Sequence, residues 1–407
     1  MNYSLYFHIP FCVHRCAYCD FNTYAGQEAL IPAYVEALVS EIEAVGRSAP
    51  ERLPVHTIFF GGGTPSLLST EQFEKILSAV RDNFELRPVQ DQHNRVTTSV
   101  LTTEASLEAN PGTVSLAFLQ GLRQAGFNRM SLGVQSAHPV ELRQLERIHD
   151  FYDVIESVKW ARQAGFDNLN LDLIYGLPEQ KLARWQETLR RAVDLGPDHL
   201  SLYALTIEAG TPFGRWAASG RLPIPDPDKA ADMYEWASEY LQGQGYQQYE
   251  ISNWAKAGFQ CRHNLQYWRN QPYLGFGAGA HGCAANFRIA NVLRIRTFME
   301  RITTRKDDGN APFPMSPATA TQQPISRKVE MQETMMLGLR LTQEGVSEEA
   351  FKERFGTEMR SEFEKEIHEL LGLGLIECKR SGRERRIRLT PRGRLLGNQV
   401  FIRFVGE

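Results

Sequence analysis

Along the first two-thirds of the chain, short runs of β-branched and aromatic residues alternate with longer stretches whose apolar residues recur at i, i+3 and i+4. The runs SLYFHI (Ser4–Ile9), HTIFFG (His56–Gly61), ASLEAN (Ala105–Asn110), MSLGVQ (Met130–Gln135), NLNLDLIYG (Asn168–Gly176) and LSLYAL (Leu200–Leu205) predict six strands. Between them, Ile31–Gly46, Thr70–Asn83, Val114–Ala125, Asp153–Ala164 and Leu182–Leu195 predict helices. Strand and helix in repeated alternation mean right-handed crossovers and a parallel sheet. Six units are too few to close an eight-stranded barrel, so the predicted fold is α/β, a partial (β/α)6 TIM-like barrel. Chemistry in such sheets gathers at the C-terminal ends of the strands. The unusual residues stand there: His8 and a Cys-rich loop, GGGTP, EANPG, GVQS, DLIYGLP and YALTIEAGTP.

The regular pattern defines a barrel over residues 1–248, then gives way to an aromatic, Gly- and His-rich core extension over 249–306. A Pro/Ala/Thr/Gln-rich stretch, 307–325, reads as a linker or surface loop. Residues 326–407 read as a small α-rich, winged-helix-like domain ending in a β-ribbon. The Arg run from Lys379 to Arg394 is either a solvated ribbon or a surface for nucleic acid or an anionic membrane. With 42% hydrophobic and 23% charged residues and a net charge of −3, the 407-residue chain as a whole implies no polyanion partner, and no nucleic acid is expected. The N-terminus has no basic segment followed by an apolar one, and no run of about 18 apolar residues occurs, so a cytoplasmic location is expected.

Three of the six cysteines fall within FCVHRCAYCDF (Phe11–Phe21). In a reducing compartment such a cluster reads as metal ligands or redox groups rather than disulfides. Three thiols are one short of the usual four for structural zinc, which His8 or His14 could complete, and one short of the four irons of a [4Fe-4S] cluster. Inert buried thiols are the third reading, and spacing alone leaves all three open. GGGTP lacks the Lys of a P-loop and the spacing of a dinucleotide fold. Its glycines serve either a tight turn or the close approach of backbone to a small polar ligand.

The spacing C-x3-C-x2-C at Cys12, Cys16 and Cys19, after the first strand and with Tyr18 before the last cysteine, resembles the signature of the radical S-adenosylmethionine (SAM) superfamily. The resemblance covers the whole barrel. It implies that three thiolates hold a [4Fe-4S] cluster whose fourth iron chelates the amino and carboxylate groups of SAM, which the reduced cluster cleaves at a C–S bond. LYFHIPFC, GGGTP, SLEANPG, GVQS, LERIH and NLDLIYGLP are, in order, closely similar to oxygen-independent coproporphyrinogen III oxidases and their relatives. By position, Tyr6, Gly62, Glu108 and Ala204 match residues lining a first SAM, and Gly63, Thr64, Gln135, Arg147 and Asp172 match those holding a second. Gly62, Gly63 and Thr64 also match the turn that contacts the methionine amino group, and Tyr18 joins the SAM-binding set. The Arg147 fork suits a carboxylate. Glu108 and Asp172 at strand ends have a plain alternative role as helix caps.

Two features depart from the oxidase pattern. Phe21 stands where the oxidase has a further cysteine, and the first strand begins at Ser4, without the oxidase's N-terminal extension. A third feature is positive: in CRHNLQYW the H-N-x-x-Y-W residues His263, Asn264, Tyr267 and Trp268 resemble the signature of the haem-binding relatives of the oxidase, the HemW-type haem chaperones. Imidazole is a standard axial ligand of haem iron, and aromatic rings stack on porphyrin. The same residues also suit an ordinary aromatic core; His281 and Cys261 are secondary ligand candidates. The resemblance implies a haem carrier that binds SAM and a cluster and delivers haem to haem-requiring proteins, respiratory-chain subunits among them. Peripheral membrane contact and a dimer regulated by SAM and the cluster go with it. The competing readings are a coproporphyrinogen-oxidising enzyme and a zinc-stabilised barrel carrying a nucleic-acid-binding winged helix.

Overall fold

The computed structural model describes residues 2–87, 103–304, 311–382 and 384–405. Among them, six parallel strands follow one another across the sheet in chain order: β1 (Tyr3–Ile9), β2 (Pro54–Gly62), β3 (Glu104–Ala109), β4 (Arg129–Gln135), β5 (Asn168–Tyr175) and β6 (His199–Ala204). The main crossover helices are α1 (Ile31–Ser48), α2 (Thr70–Asn83), α3 (Leu116–Ala125), α4 (Phe151–Gln163) and α5 (Leu182–Asp194). This is the expected partial (β/α)6 barrel, with element ends displaced by a residue or two.

The local chemistry accounts for these elements. Strands covered on both faces read as nearly unbroken apolar runs, and Phe7 at the centre of β1 stacks on Phe60 and Phe276 with ring centroids 4.7 and 5.2 Å away. Reciprocal caps start α2 (Ser69 with Gln72) and α4 (Asp150 with Asp153). The repeated QAGF ends α3 and α4 in the same way. Gly126 and Gly165 adopt φ of +113° and +89°, and Phe127 and Phe166 turn back into the core, both fully buried.

Beyond β1 the sheet continues with Tyr273–Phe276, parallel to it, then with His281–Ala284, Phe287–Asn291 and Thr319–Pro324. The last strand lies inside the stretch expected to be a linker, of which residues 307–310 fall outside the described ones. The chain divides into two compact units, Met1–Ala237 with Pro272–Gln323, and Ser238–Gln271 with Pro324–Glu407. These limits differ from the expected ones. The aromatic extension is shared out because Tyr273–Phe276 has a sheet edge to join, whereas the helix Arg262–Trp268 packs with the helix Arg327–Gly338 of the second unit.

The second unit has a small antiparallel sheet in which Glu384–Leu389 lies between Val346–Ser347 and Ile376–Ser381. Its core gathers Met335, Leu339, Phe351, Phe355, Ile387 and Leu389. The ribbon is basic in sequence but locally paired: Arg388 and Lys379 meet Glu377 at 2.7 and 3.5 Å, and Arg386 meets Glu384 at 2.5 Å. Arg383 of that run lies outside the described residues. Three of the run's described cations are thus paired within the ribbon, while Arg380, Arg385 and Arg392 are exposed. No helix among the described residues is long and apolar enough to cross a membrane.

One buried carboxylate ties the barrel's start to its end. Glu41 on α1 accepts from the Gly277 amide, Asn291 Nδ2 and Ser316 Oγ, each at 2.7 Å. Two turns earlier, Tyr34 donates to the His8 carbonyl (2.8 Å) and accepts from the Ala278 amide (2.9 Å). Burial pushes the Glu41 carboxyl up to about 7, against the donors that hold it ionised. The folded protein therefore binds this proton more tightly than the unfolded chain. The stability so contributed is full below pH 4.5 and is lost as pH rises through about 7, roughly 3 kcal/mol across that window. Urea midpoints measured from pH 4.5 to 7 should show this slope in the wild type and a flatter profile in Glu41→Gln. Glu41→Ala should cost about 2–4 kcal/mol at pH 7 by orphaning three donors.

Candidate functional site

A cavity of about 400 Å³ opens at the C-terminal ends of the six strands. Cys12, Cys16 and Cys19 line it from the loop after β1; Gly62, Gly63 and Thr64 from the turn after β2; Glu108 from β3; Gln135 from β4; Arg147 from beyond β4; Asp172 from β5; and Ala204 from β6. Tyr18 also faces it. The sheet thus brings together residues spread over nearly 200 positions of sequence. Tyr6 is not in the lining: its hydroxyl meets His8 Nδ1 at 2.9 Å beneath the glycine turn.

The turn after β2 is built for close approach. Its amides bond to the cysteine loop, Gly63 N–H to the Ile9 carbonyl (2.9 Å) and Thr64 N–H to the Phe11 carbonyl (2.7 Å). Gly62 has φ +110°, and a Cβ there would stand 2.5 Å from the His8 ring. A Cβ on Gly63 would come within 2.5 Å of the Phe11 carbonyl and 3.0 Å of Cys12 Sγ. Neither glycine tolerates a side chain, which supports the close-approach reading of GGGTP.

The cysteine loop is fastened along its length. His8 donates from Nε2 to the Asn22 carbonyl (2.9 Å), which leaves Nδ1 to accept from Tyr6. Burial lowers the His8 pKa and keeps the ring neutral. Asn22 Nδ2 reaches the carbonyls of Ala278 (3.1 Å) and Leu293 (2.9 Å), and the Phe213 amide donates to the Ala17 carbonyl (3.0 Å). Both nitrogens of His8 are thus engaged, and exposed His14, at the cavity's rim, faces Glu146 at 3.6 Å. Among the described residues no three His, Cys, Asp or Glu side chains converge as ligands of a single ion. Three free thiols spread around one cavity suit a cluster whose irons each take their own cysteine.

The cavity carries both signs of charge. Glu108 Oε2 accepts from the Gly62 amide at 3.1 Å, and burial, with Asp172 nearby, pushes its carboxyl up to about 7. Asp172 accepts from Ser131 Oγ (2.6 Å) and Asn170 Nδ2 (2.9 Å), and burial raises its pKa as well. These contacts fix both carboxyls toward the cavity rather than on helix caps. Arg147 donates to Cys16 Sγ (3.5 Å) and the Gly133 carbonyl (2.8 Å) and lies beside Tyr18, whose hydroxyl is held protonated by burial. A zwitterion with an added sulfonium charge finds carboxylates for its cations and a guanidinium for its carboxylate, so the donor set fits SAM. Gln135 sits at φ +65°, a strained backbone at the same rim.

Phe21 is 63% exposed at the cavity's edge. His263, Asn264, Tyr267 and Trp268 lie on the helix Arg262–Trp268 of the second unit. His263 is buried with Nε2 2.8 Å from the Tyr267 hydroxyl, and the Arg340 guanidinium lies 4.4 Å over the Trp268 ring. Cys261 is buried at the start of that helix, and exposed His281 opens a strand of the barrel unit. Asn110, within EANPG, has no role assigned from the sequence. In the structure it bonds both Thr64 and Arg147, and its place just past Glu108 at a strand end was the available signal.

A six-strand partial barrel with three thiols and a glycine cradle at its strand ends is the architecture of the radical SAM superfamily, whose model matches residues 6–192. The model of the HemN C-terminal domain matches residues 325–396. Coproporphyrinogen III oxidase (HemN) from Escherichia coli has the same fold, with a TM-score of 0.79 at 24% sequence identity over 99% of this chain and 90% of that one. The heme chaperone HemW of Bacillus subtilis is 38% identical over 405 residues, covering 99% of each chain. HemW of Escherichia coli is 43% identical over 293 residues, 72% of each. The chain belongs to the HemW family of the radical SAM superfamily.

Gly63→Ala should bring a methyl against Cys12 Sγ and the Phe11 carbonyl and push the cysteine loop away from the turn. We expect iron bound after anaerobic reconstitution to fall well below half of the wild-type content, whereas Gly243→Ala, at a helix end where a Cβ meets nothing within 4 Å and the backbone is not left-handed, should leave it unchanged.

Proposed function

We propose that this protein is a haem chaperone that binds a [4Fe-4S] cluster, SAM and haem, and hands the haem to haem-requiring proteins. The observation that carries the reading is 38% identity over 99% of both chains with a heme chaperone. In this reading Cys12, Cys16 and Cys19 hold the cluster, while Gly62, Gly63, Thr64, Glu108, Gln135, Arg147, Asp172 and Ala204 hold SAM, with Tyr6 and Tyr18 backing the site. When bound, the cluster and SAM supply one-electron chemistry at the sulfonium. Around them the chain orients: Glu108 and Asp172 draw the cationic end of the ligand inward and Arg147 draws its carboxylate.

Haem is the cargo. His263, whose Nε2 meets the Tyr267 hydroxyl, would offer the haem iron an imidazole ligand, and Tyr267 and Trp268 would offer rings to the porphyrin, with Asn264 alongside. The recipients include membrane-bound respiratory subunits, approached from the cytoplasmic face, and the carrier works as a dimer whose haem release responds to SAM and the cluster.

The test pairs binding with turnover. Reconstituted protein should hold about four irons and lose them when the three cysteines become Ala. Added haemin should give a Soret band that shifts or vanishes in His263→Ala. Coproporphyrinogen III with SAM and a reductant should give no protoporphyrinogen. Sustained turnover, or zinc in place of iron after anaerobic purification, would sink the proposal.

A further inference from the structure

We propose that Asn110 is a positioning residue that fixes the direction of the hydrogen bonds aimed at the cluster-binding thiolates, and thereby sets the cluster's reduction potential. The inference rests on the [4Fe-4S] reading of Cys12, Cys16 and Cys19. Its starting point is that Arg147 can only donate. Its Nη2 bonds the Asn110 side chain, so the amide atom facing it is Oδ1. The other end of the amide, Nδ2, then points to Thr64 Oγ1 at 2.9 Å. An amide nitrogen can only donate, so the Thr64 oxygen accepts and its own hydrogen is released toward Cys12 Sγ, 3.6 Å away. The second guanidinium nitrogen, Nη1, reaches Cys16 Sγ directly at 3.5 Å.

Two thiolates therefore receive donors from one cation. Arg147 serves Cys16 directly, and serves Cys12 through Asn110 and Thr64. Without Asn110, Thr64 keeps a hydroxyl free to rotate, and the donor to Cys12 is no longer enforced. The backbone makes room for this arrangement. A Cβ on Gly133 would lie 3.1 Å from Arg147 Nη2 and 3.2 Å from Asn110 Oδ1, while the Gly133 carbonyl accepts from Nη2 at 2.8 Å and holds the guanidinium in place. Donors to cluster sulfurs stabilise the more negatively charged, reduced state and so raise the potential, and partners behind the ligands tune a metal site as the ligands themselves do.

The full chain, reconstituted anaerobically with iron and sulfide and titrated redox-wise with electron paramagnetic resonance in the absence of SAM, gives the readout. Thr64→Val and Asn110→Ala should each shift the midpoint potential downward with iron content unchanged, and Thr64→Ser should restore it. The double variant should shift by less than the sum, because both changes remove the same donor to Cys12. Wild-type potentials in Thr64→Val and Asn110→Ala, or strictly additive shifts, overturn the proposal while leaving the cluster itself in place. A wild-type chain that takes up zinc or no iron removes the underlying reading and this inference with it. Should Asn110→Ala fail to fold, the Thr64→Val and Thr64→Ser pair carries the test, since their difference is one hydroxyl.

Discussion

The parallel pairing of β1 with β2 is the constraint on which the site depends. Its register sets His8 opposite Gly61 and Ile9 opposite Gly62, so the cysteine loop and the glycine turn leave the sheet at the same level. From there the two segments bond to each other through Gly63 and Thr64, and there is no space between them for any side chain. A one-residue slip would turn each strand's side chains to the opposite face and carry Cys12 away from Thr64. Phe7, wedged between Phe60 and Phe276, holds that register through packing, and the chemistry at the strand ends inherits its accuracy from this apolar stack.

A second organising principle is the separation of charge within one cavity. Glu108 and Asp172 stand on β3 and β5, the two strands that flank β4, whereas Arg147 enters from the segment after β4 and is tied to the cysteine loop. In a buried setting none of these groups is indifferent to its neighbours. Both carboxyls are raised by burial, Glu108 also by the neighbouring Asp172, and each is compensated by fixed donors, the Gly62 amide for one and Ser131 and Asn170 for the other. The polarity is thus preorganised, and a ligand of matching charges meets it without first rearranging the protein.

The sequence made the barrel plain because its strands are buried on both faces and read as unbroken apolar runs, and because Gly126 and Gly165 punctuate their helices identically. The cysteines, the GGGTP turn and the strand-end polar residues were legible because each is local. Pairings across long stretches of chain were not. Glu41 meets Gly277 and Ser316 from 236 and 275 residues away, and Asn22 meets Leu293 across 271. The helix carrying His263 and the strand Tyr273–Phe276 share one aromatic composition, yet they belong to different units, since only the latter has a strand edge to join. Asn110 went unassigned because its importance is to have two partners, and a single sequence shows neither.

The fastening of the cysteine loop has a temporal side. The loop precedes its partners in the chain by about 200 residues or more, for Asn22 finds its acceptors at Ala278 and Leu293, and Ala17 accepts from Phe213. Contacts of such high sequence separation form late, after the intervening chain has been ordered. The thiols therefore take their final arrangement only when the barrel unit is nearly whole. Until then they are three loose cysteines on an unfinished fold, and capacity to accept iron becomes a certificate that the barrel has closed around them.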